Sequence, residues 1–450
     1  RKLATQSSDS AFPQKLSDTG FFADLTDFSP NPGVVPYSVN LPFWSDYAIK
    51  QRWFSLTSLA PVIQYAAEGN WSFPTGMLWV KHFDLEQERG QPASRFRLET
   101  RVLVRTTNGV YGVSYMWNTN GTDAFLVPDA GVTFEFAITN QGQPVTQSWS
   151  IPSRAQCLIC HTPAGGHALS FNTRQLNRDG ALAGQSSNFI ALLQQTRYVT
   201  NFTDDACLLP RHVRPEETQF DLEVRARSYL AVNCGYCHQQ GSGSAPASWD
   251  GRPELRLADT RLINGTASSA GTDPSNRLVV AGDLVHSIIF NRVAVSNGFT
   301  RMPPLGTAEL DPVNIQLLSD WITLHLPGRQ NYAAWRQDRF GSTNSPTGEP
   351  NADPDEDNRS NEEEFLAYTD PQQPDRAGFA SLGGNGDQVT VSYALPGREV
   401  RVEASTNLLN WFNWSVPGNN GLPLSTGAVR QLNGVAPGPE GFFRFQLREP

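Results

Sequence analysis

No run of apolar residues in this chain approaches the roughly 20 needed to cross a bilayer, so the sequence offers no helical membrane span. Positive charge is also in short supply. The net charge is −9 and the pI near 5.3, which argues against nucleic acid and anionic membrane as partners. The motifs G-x-S-x-G, the phosphate-binding loop and the zinc-protease H-E-x-x-H are missing, so the familiar hydrolase and nucleotide-handling signatures do not apply. Cysteine and methionine are rare, five and three in 450 residues. Where they fall is therefore informative.

Aromatic residues, glycine and proline are plentiful, with 11 Trp, 25 Phe, 37 Gly and 32 Pro. That composition fits a loop-rich protein with aromatic cores, of a length that allows two to four domains. Four of the five cysteines sit in two copies of one pattern, Cys157-Leu-Ile-Cys160-His161 and Cys234-Gly-Tyr-Cys237-His238. C-x-x-C-H is the attachment signature of c-type haem. Two thiols three positions apart on one helical turn can each form a thioether to a haem vinyl group, and the adjacent imidazole then lies under the iron. A zinc site would not need a His after each pair, and a thioredoxin-type site wants one pair with no trailing His. The expected cofactors are two covalently attached haem c groups, held by Cys157, Cys160 and His161 and by Cys234, Cys237 and His238. Haem is attached outside the cytoplasm, so a periplasmic, extracellular or cell-surface location follows.

Each iron has a sixth position to fill. For the second, Met302 in Thr300-Arg301-Met302-Pro303-Pro304-Leu305 is the candidate, because Met-Pro-Pro before a terminal helix resembles the axial-methionine loop of class I cytochromes c. A thioether ligand there raises the reduction potential. For the first, His82 in Lys81-His82-Phe83 leads and Met116 follows, with His167, Met77 or an open position as the remaining options. Cys207 is left over and is expected to be an inert thiol.

Along the chain, residues 1–35 form a polar, Pro-rich extension with a short helical candidate at Phe21–Leu25. A β-rich domain is expected over 36–150, with strands at Leu78–Phe83, Phe96–Arg105, Val110–Trp117 and Val132–Thr139 and tight turns at Asn108-Gly109 and Asn120-Gly121. Residues 151–215 form a first haem-binding segment, and 216–330 are expected to build an α-helical, class I-like cytochrome c core. Residues 331–371 form a linker containing Asp353, Asp355, Asp357, Arg359, Asn361 and Glu364. Their oxygens occupy loop positions 1, 3, 5, 7, 9 and 12 of an EF-hand-like calcium pattern, with Arg359 contributing its carbonyl. Asn358 stands where that loop normally has glycine, and Asn tolerates the left-handed backbone. Residues 372–450 alternate apolar and polar positions as a β-sandwich does, and Trp411 and Trp414 within them are expected to pack in its core. The fold class expected overall is multidomain α+β.

Several segments taken together resemble a family of bacterial dihaem c-type cytochromes. They are Phe12–Leu25, Val35-Pro36-Tyr37 with Leu41-Pro42-Phe43-Trp44-Ser45-Asp46, Pro152–Thr162 and Asn172–Arg178. The likeness covers roughly residues 12–328, and the linker resembles thrombospondin type 3-like repeats of exported proteins. The resemblance implies electron transfer between redox protein partners, with a quinoprotein sugar dehydrogenase as donor. Members are sometimes fused behind such a dehydrogenase domain, and the start at Arg1, with neither Met nor signal peptide, suggests excision from something longer. The rival expectations are a dihaem peroxidase-like enzyme with an open first haem, and a surface haem protein whose β domains bind a polysaccharide or partner. No residue specifies an oligomeric state.

Overall fold

The computed structural model describes residues 12–60, 62–243, 248–374 and 379–450. The start of the expected extension, residues 1–11, lies outside that part, as do residues 375–378 at the head of the C-terminal module. The chain forms two compact units. The first comprises residues 1–203, 228–280 and 285–316; the second comprises 204–227, 281–284 and 317–450.

The first unit is organised on a six-stranded antiparallel sheet. Its strands are β3 (Val34–Pro36), β4 (Ile49–Ser55), β5 (Leu78–Glu86), β6 (Arg95–Arg105), β7 (Val110–Trp117) and β8 (Ala124–Leu126), in chain order across the sheet. A small pair, β1 (Phe22–Asp24) and β2 (Ser29–Pro30), precedes it; a hairpin, β9 (Val132–Asn140) with β10 (Gln143–Ile151), follows. Alternate side chains of a strand leave on opposite faces. One face of the sheet is an aromatic and aliphatic core in which Phe22, Phe28, Trp53, Val80, Val102, Tyr115 and Trp117 are buried together. The other face carries Arg52, Trp79, Lys81 and Arg101 and borders a cavity. After the hairpin come α1 (Arg154–Cys160), α2 (Thr173–Leu176), the pair β11 (Asp179–Leu182) and β12 (Gln185–Asn188), and α3 (Phe189–Gln195). The helix α4 (Leu222–Leu230) then leads back into this unit, and α5 (Ile288–Ala294) and α6 (Pro312–Asp320) follow.

The second unit contains α7 (Tyr332–Phe340), α8 (Asn361–Ala367) and two three-stranded sheets. The strands are β13 (Ala380–Asn385), β14 (Gln388–Tyr393), β15 (Glu399–Ser405), β16 (Phe412–Asn413), β17 (Arg430–Val435) and β18 (Phe442–Arg448). One sheet runs β13-β14-β17 and the other β16-β15-β18. Val391, Tyr393, Val400, Val402, Trp414 and Leu432 are buried together as their core. Trp411 lies instead beneath the Arg444 guanidinium, 4.5 Å away.

Two expectations need correction. Strand outweighs helix, 28% of residues against 20%, and among the described residues no α-helix exceeds nine residues. The chain therefore does not build the expected helical class I-like core with two haems. Apolar residues at helical spacing are present around both motifs, but prolines and glycines cut each stretch short. Phe21–Leu25, expected helical, instead contains the strand β1 (Phe22–Asp24), in which Phe22 packs edge-on against Phe28 and Trp53 (centroids 5.2 and 4.9 Å) and which pairs with β2. Among the described residues no helix is long and apolar enough to cross a membrane.

Candidate functional site

Pro152 ends the extended hairpin, and Ser153 starts the first motif with a complete capping box, its hydroxyl accepting from Gln156 N while Gln156 Oε1 accepts from Ser153 N. This fixes α1 as a two-turn helix carrying Cys157 and Cys160. It packs against β7, where Gly112 leaves room for the thiol: a Cβ there would sit 3.3 Å from Cys157 Sγ. Beyond the helix the chain turns through Gly166 and His167, both with positive φ (72° and 60°). The turn brings the His167 carbonyl onto the His161 ring, and His161 Nδ1 donates to it. A carbonyl only accepts, so Nδ1 carries the proton and the Nε2 lone pair is free. Burial pushes the His161 ring down to about 4, with Lys81 and Arg101 adding to the shift. It is a neutral imidazole, the form that binds a metal.

The second motif lies where α4 widens into a π turn over Ala231–Gly235, which carries Cys234. Such turns recur at functional sites. Asn233 anchors it, donating from Nδ2 to Tyr229 O and accepting Trp44 N on Oδ1. Trp44 Nε1 reaches Glu309 O, and Glu309 N donates to Asp46 Oδ1. The Leu41–Asp46 segment thus ties the second motif to the end of the Met302 loop. Its other end pairs with α2, Leu41 exchanging hydrogen bonds with the Gln175 amide at 3.0 and 2.7 Å. The His238 ring stacks on Trp249, centroids 5.0 Å apart and planes 19° apart. His238 Nδ1 is buried without a partner among the described residues. Burial lowers the pKa of this ring and the Arg292 charge lowers it further. The same residue, Arg292, accepts Met302 N on its carbonyl, so Met302 and His238 share a neighbour.

Distant in sequence, the two motifs meet in space. The Cys160 and Cys237 thiols are hydrogen-bonded to one another, Cys237 Sγ lies 3.6 Å from Ile159 O, and the Tyr236 hydroxyl also bonds Cys160. Burial pushes Cys234 up to about 12 and raises Cys157. Among the described residues the cysteines and histidines do not converge as a set of three metal ligands, so a zinc cluster is not what the geometry builds.

A cavity of about 460 Å³ lies beside the first motif, lined by Cys157, Cys160, His161, Tyr236 and the open face of the sheet. Its size falls in the cofactor range of about 300–1,000 Å³. Three cations stand in a row on the sheet: Arg52 is directly opposite Lys81, and Lys81 is directly opposite Arg101. Glu99 takes both ends of the Arg101 fork, at 2.9 and 2.6 Å. Arg52 Nε and Trp79 Nε1 are buried donors with no partner among the described residues. Lys50, on the same face, donates to Phe43 O at 2.8 Å and burial pushes it down to about 7. Excess positive charge and stranded donors fit an anionic ligand, and the two propionates of haem supply such acceptors.

His82 is not in this cavity. It is fully buried on the opposite face, its Nδ1 2.8 Å from Thr100 Oγ1 and its Nε2 2.8 Å from Asp84 Oδ1, between the Phe28 and Trp117 rings. The expected ligation by His82 is therefore corrected: strand alternation turns its ring away and both nitrogens are engaged. Met77 is buried and Met116 lies on the sheet surface; neither lines the cavity. Sequence reading missed Lys81, Arg52, Arg101, Trp79 and Trp249. The first three carry a signal, one cation on each of three neighbouring strands, which becomes legible only with the register that sets them opposite one another.

In the second unit, Asp353, Asp355 and Asp357 bring carboxylate oxygens within 4.8 Å of one another. Asn358 adopts φ 72° and donates its N–H to Asp353 Oδ2. Arg359 N donates to Asp357 Oδ1. Asn361 and Glu364 follow as buried residues of α8. Asn361 Nδ2 is used by the Thr347 and Glu349 carbonyls, while Asn361 Oδ1 and Asp355 Oδ2 are buried without hydrogen-bond partners among the described residues. Burial raises the pKa of Asp355, as do the Asp357 and Asp353 charges. Set against known proteins, the chain matches no family model, no curated protein and no solved structure.

Proposed function

We propose that this protein is a dihaem c-type cytochrome that carries electrons outside the cytoplasm, from a dehydrogenase to a downstream acceptor. The observation that carries the reading is the meeting of the two C-x-x-C-H motifs, with Cys160 and Cys237 in contact and His161 held with Nε2 free. Cys157 and Cys160 would hold one haem, with His161 as its proximal ligand; Cys234, Cys237 and His238 would hold the other, with Met302 as its sixth ligand. Arg52, Trp79 and Arg101 would take the propionates of the first. Bound haem supplies a one-electron couple whose potential the axial ligands set. The chain's own part is to fix both imidazoles, exclude water with Trp249 and the sheet face, and hold the two attachment points side by side. That adjacency suits passage of an electron from one haem to the next. A quinoprotein dehydrogenase is the donor suggested by the family resemblance, and the acceptor is a further redox protein.

The test is mass and reduced pyridine spectrum of the full chain produced with a haem-attachment system. The expected result is two thioether-linked haems per chain, lost one at a time in Cys157→Ser/Cys160→Ser and Cys234→Ser/Cys237→Ser. A chain that leaves the attachment system without covalent haem would sink the reading. Calcium at Asp353, Asp355, Asp357, Asn361, Glu364 and the Arg359 carbonyl is the second assignment, favoured by the uncompensated Asp355 and Asn361 oxygens.

A further inference from the structure

We propose that Lys81 Nζ is the sixth ligand of the iron held by His161. The inference rests on the haem reading above and deepens it. Among the described residues, the cavity entered by His161 is lined by no other histidine and by no methionine. The phenols of Tyr37 and Tyr236 reach it, but burial holds both protons on, and Ser170 and Cys160 engage them. Lys81 lines the same cavity, and among the described residues it makes no hydrogen bond and no ion pair; the Phe83 and Phe43 rings lie 5.0 and 6.0 Å from its ammonium position, and the charges acting on it are those of Arg52, Lys50, Arg101 and Glu99. It is also the strongest charge acting on the His161 ring.

The row Arg52–Lys81–Arg101 sharpens the argument. Like charges directly opposite each other in a sheet repel, and here three stand in succession. The outer two are guanidinium groups, which keep their protons and have no lone pair to give. The middle one is an amine, which when buried sheds its proton readily and then presents a nitrogen lone pair. Burial and its cationic neighbours do hold Lys81 well below the usual lysine range. Coordination forms an iron–nitrogen bond and releases one proton to solvent, which removes the central charge of the row. The propionates do not need Lys81, because the stranded donors of Arg52 and Trp79 are available to them. Strand alternation explains why the ligand is Lys81 and its neighbour His82 is not.

The experiment uses the full, haem-loaded chain. Haem content is measured first, then ferric electron paramagnetic resonance, near-infrared magnetic circular dichroism and carbon monoxide binding by the reduced protein. In the wild type the expected result is two low-spin haems, one with an amine–imidazole charge-transfer band, and no carbon monoxide uptake. Lys81→Arg keeps the charge without a ligand, and with Lys81→Ala it is expected to turn about half the haem high-spin and to bind about one carbon monoxide per chain. Lys81→His is expected to restore the low-spin state. If Lys81→Arg keeps the wild-type spectra, Lys81 acts only as a charge and the assignment falls. Where a variant loads poorly, the wild-type near-infrared spectrum decides alone, and absence of the amine band overturns the proposal. A wild-type chain with no covalent haem overturns the underlying reading as well, whereas two haems with Lys81-independent spectra overturn only the ligand.

Discussion

Both ring nitrogens of His82 are bonded inside an aromatic wall, so deleting the ring strands Asp84 and Thr100 in a buried site. His82→Ala is expected to cost roughly 2–4 kcal/mol of stability while leaving the haem spectrum unchanged, which denaturant unfolding and the absorption spectrum check together. A loss of low-spin haem in that variant would restore His82 as a ligand. Met302→Ala is expected to do the reverse: stability nearly kept, carbon monoxide bound by the haem of His238, and its potential lowered by on the order of 0.1 V, within the range axial ligands span. Redox titration of the two haems reads this directly. Gly235 explains one variable position of the second motif. A Cβ there would lie 2.8 Å from the Gly251 carbonyl oxygen and 3.2 Å from its carbon, both backbone atoms. Gly235→Ala is therefore expected to lower stability by about 1–3 kcal/mol, seen as a fall in melting temperature and in haem loading.

Between elements, the acidic loop offers the clearest handle. The Asp353, Asp355 and Asp357 carboxylates repel one another when no cation lies between them, and they precede α8, whose own capping box holds Ser360 and Glu363. A cation bound only by the folded chain stabilises it by about 2.7 kcal/mol when present at 100 times its dissociation constant. The melting temperature of the full chain is thus expected to rise with added calcium, fall with a chelator, and respond to neither in Asp355→Asn. A wild-type transition indifferent to both additions would remove calcium from the account. Much at this scale was legible beforehand. The strands Leu78–Glu86, Arg95–Arg105, Val110–Trp117 and Val132–Asn140 follow from β-branched and aromatic alternation, and the turns on either side of Val110–Trp117 from the Asn108-Gly109 and Asn120-Gly121 pairs. Where each short helix starts and stops was not, since the ends of a helix of nine residues or fewer are decided by what caps it and what it packs on, as Ser153 and Gly112 decide α1.

For the molecule as a whole, pH dependence is expected to centre on a network in the second unit. Glu223 accepts from Arg329 Nε at 2.9 Å, with His325 Nε2 3.5 Å away. Burial opposes ionisation of Glu223, yet His325, Arg329 and Arg227 together hold its carboxyl below 4.5. Burial likewise disfavours the His325 cation, but Glu223 and Asp221 raise it above 6.5. The Glu223 contribution is present above its unfolded pKa and fades as pH falls through the folded one. That of His325 is present below its unfolded pKa and fades as pH rises through the folded one. The stability advantage of wild type over Glu223→Gln is expected to peak between about pH 5 and 6 and to shrink on both sides, less on the alkaline side because Arg329 stays charged. Melting curves across pH 4–9 for the two proteins measure it, and a flat difference would remove the pair from the account.

By itself the sequence set the spacing of thiols and imidazole in the two C-x-x-C-H motifs and of oxygen-bearing residues in the acidic loop, because spacing within a few residues is written in the chain. It also fixed where the long strands run, through an alternation that needs no partner to be read. Only tertiary structure decided that the first C-x-x-C-H motif faces a sheet, that Cys160 meets Cys237, and that Lys81 lines the cavity while His82 turns away. The physical reason is that the side of a strand facing a site depends on register and on what packs above it, and both are set by residues far off in the chain.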